Sequence, residues 1–567
     1  MILLNPKKKK FENLDEKSRE IMLKTIEFFE NRGLKKLKHD DHERVWYADF
    51  LEFQKSVKAF ATLMTPEGYG PEDSRWDSYR ICEFNEILGF YGLCYWYTWQ
   101  VSMLGLGPIW LSKNEKLKQK AAKLLEEGEI FAFGLSEKEH GADLISSGMR
   151  LIPQGDGSYV AKGEKYYIGN ANKAGMVSTF GRVSDSKKYV FFAVDSQHEK
   201  YECIRNVTNS QNYVAHYALH DYPIQKEDIL SIDREAWDTS LATIAFCKFN
   251  LGWASVGIAT HAFYEAINHA SARRLYNQYV TDFPHIKQLF VDAYTRLVSM
   301  KYFSARSIDY MRSASETDRR YLLFNPMVKT KVTMQGEEVV NLIWDVIAAK
   351  GFENDNYFET AARDIRGLPK LEGTAHVNMM LITNFMMSYM LNSAEVPDVP
   401  RRAGKEDDTF LFNQGATTKG MKTVPFQDYN VAYSSIDVPN VKIFREQIAL
   451  LKEFLQECPP SKAQTRDIDY MLSLGEMFAL IPYGQLIIEN AQLDGLEDDA
   501  LMDQIFDFMV RDFSKFAVQV FSKPSSTEKQ MEVCKKMIRK PSVDEDRFMQ
   551  VWEKHVYALK DQYSMNP

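Results

Sequence analysis

Apolar positions recur every three to four residues over 16–29 and 49–64, and 76–111 is a long, unusually aromatic stretch, so residues 15–130 read as helices. Near residue 130 the period changes. Segments 148–153, 158–162 and 176–183 read as short strands, Gly155-Asp156-Gly157 is a hairpin turn signal, and alternating runs follow at 189–194 and 213–219. A polar, turn-rich stretch, 221–230, returns the chain to helix. Amphipathic segments then cover 237–277, 284–315 and 331–350, with Gly351 placed as a helix C-cap. Residues 394–424 hold Pro397, Pro400, several charges and a G-A-T-T-K-G tract, the composition of a linker or exposed loop. The final region, 438–567, shows no strand pattern. The layout is helix, β, helix, helix over 1–130, 131–235, 236–395 and 396–567, an α+β class that is mainly α.

At 567 residues the chain exceeds one core, and length alone suggests roughly three or four domains. The net charge of -8 argues against general nucleic-acid binding. Six scattered cysteines, with no C-x-x-C and no metal-spaced His, read as reduced thiols of a cytoplasmic protein and give no metal site. The run Lys7-Lys8-Lys9-Lys10 follows a very short apolar patch, the reverse of a signal peptide, and reads as a solvated tail. No uninterrupted apolar stretch reaches the roughly 20 residues of a membrane helix, so a soluble protein without a transmembrane segment is expected. Tyr91, Tyr95, Trp96, Tyr97 and Trp99 allow an apolar channel, although aromatic helices more often form plain core.

Glu372 stands where a loop enters an apolar helix, in the run Arg363-Asp364 to Glu372-Gly373-Thr374. An acid there is a helix-start signal in its own right, because unpaired N–H groups make that end positive. Its company adds a second reading. An R-D dipeptide precedes E-G-T, a K-G-F segment precedes that, and Ser136-Glu137 with Gly141-Ala142-Asp143 lies far upstream. Between them, Gly163 to Asn170 sets Tyr166 and Tyr167 beside a glycine, a wall suited to a flat ring.

In order and spacing, these segments resemble the acyl-CoA dehydrogenase family over roughly residues 75–390. The resemblance implies an N-terminal helical domain, a small β-barrel or sandwich domain and a C-terminal four-helix bundle. Residues 396–567 resemble the additional helical domain of long members. It implies FAD as cofactor, held by Phe133, Leu135, Ser136, Gly141, Ala142, Tyr167, Gly169, Asp345, Ala349, Thr374 and His376. Arg273 and Tyr276 would reach the FAD of a neighbouring subunit in a homodimer or homotetramer. Lys248 and Gly373 would hold the acyl-CoA substrate. Glu372 would take the α proton while the β hydride passes to flavin, giving the 2-enoyl-CoA. Electrons would pass on to an electron-transfer flavoprotein.

The cradle departs from the family pattern. Ala142 replaces a Ser, Gly169 a Thr whose hydroxyl meets the flavin ring, Pro284 and His376 each a Gln, and Asp345, Ala348 and Ala349 replace Gln and a glycine pair. Two alternatives belong to the same fold: an acyl-CoA oxidase returning electrons to oxygen, and a non-catalytic or DNA-associated, alkylation-response-like member. The second is suggested by the basic residues of 511–540, which also read as a solvated helix face.

Overall fold

A computed structural model of the chain describes residues 2–186, 188–414 and 420–567; residues 415–419, the core of the G-A-T-T-K-G tract, lie outside them. The chain divides into two compact units, each discontinuous: Lys10–Asn250 with Gly404–Lys419 and Met565–Pro567, and Met1–Lys9 with Leu251–Ala403 and Gly420–Ser564. The sequence layout of four consecutive segments is therefore cut differently in space.

In the first unit, six helices precede the sheet: α1 (Glu16–His42), α2 (Ala48–Ser56), α3 (Ala59–Met64), α4 (Ser78–Tyr91), α5 (Leu93–Leu111) and α6 (Glu115–Glu126). Asp15 and Asp77 cap α1 and α4 through their carboxylates, and Arg75 bridges both caps at 2.6 and 2.9 Å. The aromatic stretch is core. Trp96 and Trp99 are fully buried, and each donates its indole N–H to Asn85 Oδ1, at 2.7 and 3.2 Å.

Among the described residues eight strands follow: β1 (Phe131–Gly134), β2 (Arg150–Pro153), β3 (Tyr159–Gly169), β4 (Met176–Val183), β5 (Tyr189–Val194), β6 (Tyr201–Asn206), β7 (Val214–Ile224) and β8 (Ile229–Ile232). They form one hydrogen-bonded sheet in the order β6-β7-β3-β2-β4-β5-β8, with β1 also pairing β4. β1 and β2 run parallel to successive stretches of β4, and the remaining pairs are antiparallel. Leu151, Ala161, Val177, Val190, Phe192 and Tyr217 fill the core of the sheet. α7 (Arg234–Cys247) then ends at Lys248, where the helix predicted over 237–277 breaks before α8 (Phe249–Ala272). Part of the expected linker is packed: Asp408 accepts from the Ser78 N–H at 2.7 Å, and Phe412 meets Trp76 edge-on.

The second unit takes up most of α8, the short hairpin β9 (Arg274–Leu275) and β10 (Gln278–Tyr279), α9 (Pro284–Arg312) and α10 (Tyr321–Met327). A π-helical turn, Val328–Val332, leads into α11 (Thr333–Ile347), α12 (Tyr357–Asp364), α13 (Ala375–Thr383) and α14 (Met386–Leu391). Pro284 occupies the first turn of α9, where a missing N–H costs no hydrogen bond. The rest is α15 (Asn430–Ser434), α16 (Pro439–Glu457), α17 (Ile468–Leu493), α18 (Asp499–Phe521), α19 (Glu528–Met537) and α20 (Glu545–Val551).

Four expectations change here. Helices of 236–395 and 396–567 share one core: buried Arg296 on α9 pairs with Asp512 on α18 at 2.8 Å, and Gly475 on α17 leaves room for Met379 on α13. The carbonyls of Pro397 and Val399 accept from Arg320 and Arg306 at 2.7 Å each, so this part of the linker is anchored. The N-terminal segment is packed as well. Leu3 and Leu4 are buried and Asn5 donates to the Gln562 carbonyl at 2.8 Å, while Lys7 and Lys8 keep exposed stems. Gly351 is not the C-cap of α11; that position is Ala348, and Gly351 is small because a Cβ would stand 2.7 Å from Trp344 Nε1.

Segments 234–272 and 468–493 are long and apolar enough to cross a membrane by length and composition. Their most apolar windows are 83% and 89% buried inside the protein, as core helices are. Several basic residues of 511–540 face acids: Lys523 pairs Asp469, Lys529 pairs Glu457, Lys536 pairs Glu453 and Arg539 pairs Glu446, at 2.7 to 3.7 Å.

Candidate active site

The turn carrying Glu372 grows out of α12. Ile365 and Leu368 are fully buried, and the Lys370 and Leu371 N–H groups fold back on the Gly367 carbonyl at 2.9 and 3.2 Å. Lys370 Nζ reaches Glu337 at 2.5 Å. Glu372 and Gly373 then both adopt positive φ, 52° and 83°. Glycine takes that region freely, whereas a residue with a Cβ is held there only by its surroundings. The surroundings include Asn378, whose amide donates to the Gly373 and Thr374 carbonyls at 3.2 and 3.1 Å.

Thr374 is the N-cap of α13, so Glu372 stands two residues before the cap. Glu372 is half-buried, while Thr374 and His376 are exposed at the helix entrance. The same unit holds the other expected residues. Ala348 sits at φ 55°, ψ −135°, a conformation normally kept for glycine, and it is exposed together with Ala349 and Asp345. The backbone thus makes a glycine-type turn although the sequence has alanine. Arg273 leaves α8 beside His269, and burial followed by the Arg273 charge pushes the imidazole pKa down. Tyr276 is 90% exposed at the tip of the β9–β10 hairpin.

The β-domain residues form a second group in the other unit. Tyr167 (φ 63°) lies in a β-bulge of β3, where the pairing with β7 slips between Lys165 and Ile168, and its ring is 61% exposed. Ser136 fastens to the bulge from both sides, its carbonyl accepting from Tyr166 N at 3.0 Å and its hydroxyl donating to Tyr166 O at 2.8 Å. Below them Lys165 is fully buried, bonding Glu137 Oε1 at 2.7 Å and the Leu135 carbonyl at 2.9 Å. Burial opposes the charge on Glu137, but Lys165 and three donors from Ser147, Gly148 and Met149 outweigh it and lower its pKa to about 2. Asn170, fully buried, donates to Thr98 O, Ser102 Oγ and Phe131 O.

Phe133 is buried and stacks on Phe191 at 5.9 Å, whereas Gly141 (φ 51°) and Ala142 are exposed and open, with nothing within 4 Å of a Cβ on Gly141. Gly169 is closed: a Cβ there would stand 2.6 and 2.8 Å from the Tyr97 ring and hydroxyl. Lys248 is buried at the α7–α8 break. Its neighbour Cys247 offers a carbonyl to Gln100 at 3.3 Å, and Gln100 in turn accepts from Asn250 at 2.7 Å. Asn378 is not among the residues the sequence singles out, although an amide one helical turn beyond the Glu-Gly pair is a signal; Tyr97 is singled out only as a channel or core aromatic, and its contact with Gly169 has no signal because the two are distant in the chain.

Residues 237–387 match the family model described as "Acyl-CoA dehydrogenase, C-terminal domain". The 3-(aryl)acrylate reductase of Clostridium sporogenes is 24% identical over 50% of this chain and 76% of its own length. The caffeyl-CoA reductase-Etf complex subunit CarC of Acetobacterium woodii is 23% identical over 63% of this chain and 98% of its own. Among solved structures, an acyl-CoA dehydrogenase complexed with FAD from Bacillus anthracis shares the fold with a TM-score of 0.74. It is 15% identical and covers 98% of this chain and 97% of its own. Butyryl-CoA dehydrogenase from Megasphaera elsdenii follows at a TM-score of 0.57 and 18% identity, covering 65% and 98%.

Proposed function

Taking the chain as a member of the acyl-CoA dehydrogenase family, we propose that it is an FAD-dependent oxidoreductase acting between the α and β carbons of an acyl-CoA thioester. The observation that carries this reading is the Glu372 turn: a half-buried carboxylate at positive φ, two residues before the Thr374 cap of α13. The group that must fit beside it is FAD. Within the first unit, Tyr167 offers an exposed aromatic face on a bulge and Gly141 and Ala142 an open backbone; within the second, Ala348 offers an exposed glycine-type turn able to approach a diphosphate. Each set by itself has chemistry that suits a part of FAD, and Gly169 contributes no side chain. Bound FAD supplies the hydride acceptor or donor at the β carbon.

The protein's own part is to place a proton. Glu372 takes the α proton in the dehydrogenating direction, and the Glu372 N–H stabilises charge developing on the thioester carbonyl. Run in reverse, the same carboxyl returns the proton, which suits a chain whose relatives include proteins named as reductases. Dehydrogenation is the favoured direction and an electron-transfer flavoprotein the favoured partner, supported by a relative named for its Etf complex. The exposed Arg273–Tyr276 hairpin is proposed as the arm that meets a second copy of the chain. The DNA-associated alternative is disfavoured by the acid pairing of the basic residues on 511–540.

The test is spectroscopic. Protein reconstituted with FAD is expected to show a bound-flavin absorption band that bleaches anaerobically with an acyl-CoA, or, once reduced, returns with an enoyl-CoA. A protein that takes up no FAD, or whose flavin responds to neither thioester, contradicts the proposal.

A further inference from the structure

Between α10 and α11 the chain inserts the π-turn Val328–Val332, a local winding that costs regular hydrogen bonding and concentrates at functional positions. Its five residues are all buried, and α8 presses against it at Gly252, where a Cβ would stand 2.8 Å from the Val328 carbonyl. The Thr333 hydroxyl donates to the Lys329 carbonyl, satisfying a backbone acceptor of the turn. Lys329 is fully buried, an expensive place for an ammonium group. Its Nζ donates to the Pro369 carbonyl at 2.6 Å.

Pro369 belongs to the turn that folds back on Gly367 and runs directly into Glu372. A residue at positive φ keeps its conformation only when neighbouring bonds over-determine it. Asn378 holds that stretch from its C-terminal side, through the Gly373 and Thr374 carbonyls. Lys329 holds it from the N-terminal side.

We propose that Lys329 is a positioning residue for Glu372: the π-turn brings its buried ammonium to the Pro369 carbonyl, and that bond fixes the turn from which the carboxylate works. The inference rests on Glu372 being the proton-transfer group. A misplacement of about 1 Å at a reacting group costs on the order of a hundredfold in rate, so the effect belongs in the chemical step and not in binding.

The experiment compares Lys329→Met, which loses the donor, with Lys329→Arg, which keeps one, in FAD-loaded full-length protein. For Lys329→Met the rate of flavin reduction at saturating acyl-CoA is expected to fall about 30-fold, with the acyl-CoA Kd and FAD content within about threefold. Amide hydrogen exchange of residues 369–374 is expected to quicken while that of α18 does not change. Lys329→Arg is expected to recover most of the rate and the protection. Wild-type reduction and exchange in Lys329→Met, or an Arg variant as impaired as Met, overturns the inference. If Lys329→Met does not fold, Lys329→Gln, whose shorter amide cannot span to Pro369, takes its place with the same two outcomes. Glu372→Gln measured alongside separates the claims. If it reduces flavin normally, the reading of Glu372 fails; if it is inactive while the Lys329 variants are normal, only the role of Lys329 fails.

Discussion

In the β domain Glu137 and Lys165, which match the family motif, bind each other, whereas Glu372, which also matches, stands in a turn of positive φ. Glu137, Lys165 and Asn170 are satisfied internally, and none of the three offers an exposed group. Glu372 itself stands at positive φ, and elsewhere in the same unit Ala348 has a conformation suited to glycine. A shared motif can thus report scaffold in one region and chemistry in another, and burial with bonding tells which. The β-domain motif fixes where Tyr167 stands; the Glu372 turn fixes what a carboxylate can reach.

The largest effect should come from breaking the scaffold. Lys165→Met leaves Glu137 buried and unpaired and is expected to destabilise the protein by about 3 kcal/mol or more, read from denaturant or thermal unfolding. The pH dependence has a defined sign. The folded pKa of Glu137, about 2, lies below its ordinary 4.5, so its contribution is complete above 4.5 and is lost as pH falls toward 2. Acid unfolding of Glu137→Gln should lack this component; an unchanged acid limb would show that the pair does not matter.

A smaller loss is expected from restoring the family's residue at a closed position. Gly169→Thr drives a Cβ into Tyr97 and should destabilise by about 2 kcal/mol. Adding Tyr97→Ala should relieve part of that, and strict additivity of the two losses would contradict the packing argument. The smallest effect has the opposite sign. Ala348→Gly should stabilise by about 1 kcal/mol, because relief of the strained φ, ψ exceeds the added chain entropy. A loss of stability there would mean that the alanine is packed for a reason of its own.

Much of the fold was legible in the sequence because period follows packing. The change from three-to-four spacing to alternation near residue 130 falls where β1 begins, and the helix ending near 350 was read to within a turn. What period cannot carry is pairing over long separations. The sharing of one core by α9 and α18 depends on Arg296 and Asp512, and the buried N-terminal segment depends on Gln562. The Glu372 turn was found through its motif, but its positive φ was not readable, since glutamate does not advertise that conformation. The π-turn was invisible because its sequence, Val-Lys-Thr-Lys-Val, fits an ordinary helix as well.

The most direct test of the account is anaerobic stopped-flow reduction of FAD-loaded Glu372→Gln by an acyl-CoA that reduces the wild-type protein. The account predicts that the variant binds FAD and the thioester yet reduces flavin at least about a thousandfold more slowly, the loss expected when the base is removed from the chemical step. Reduction at the wild-type rate would contradict it.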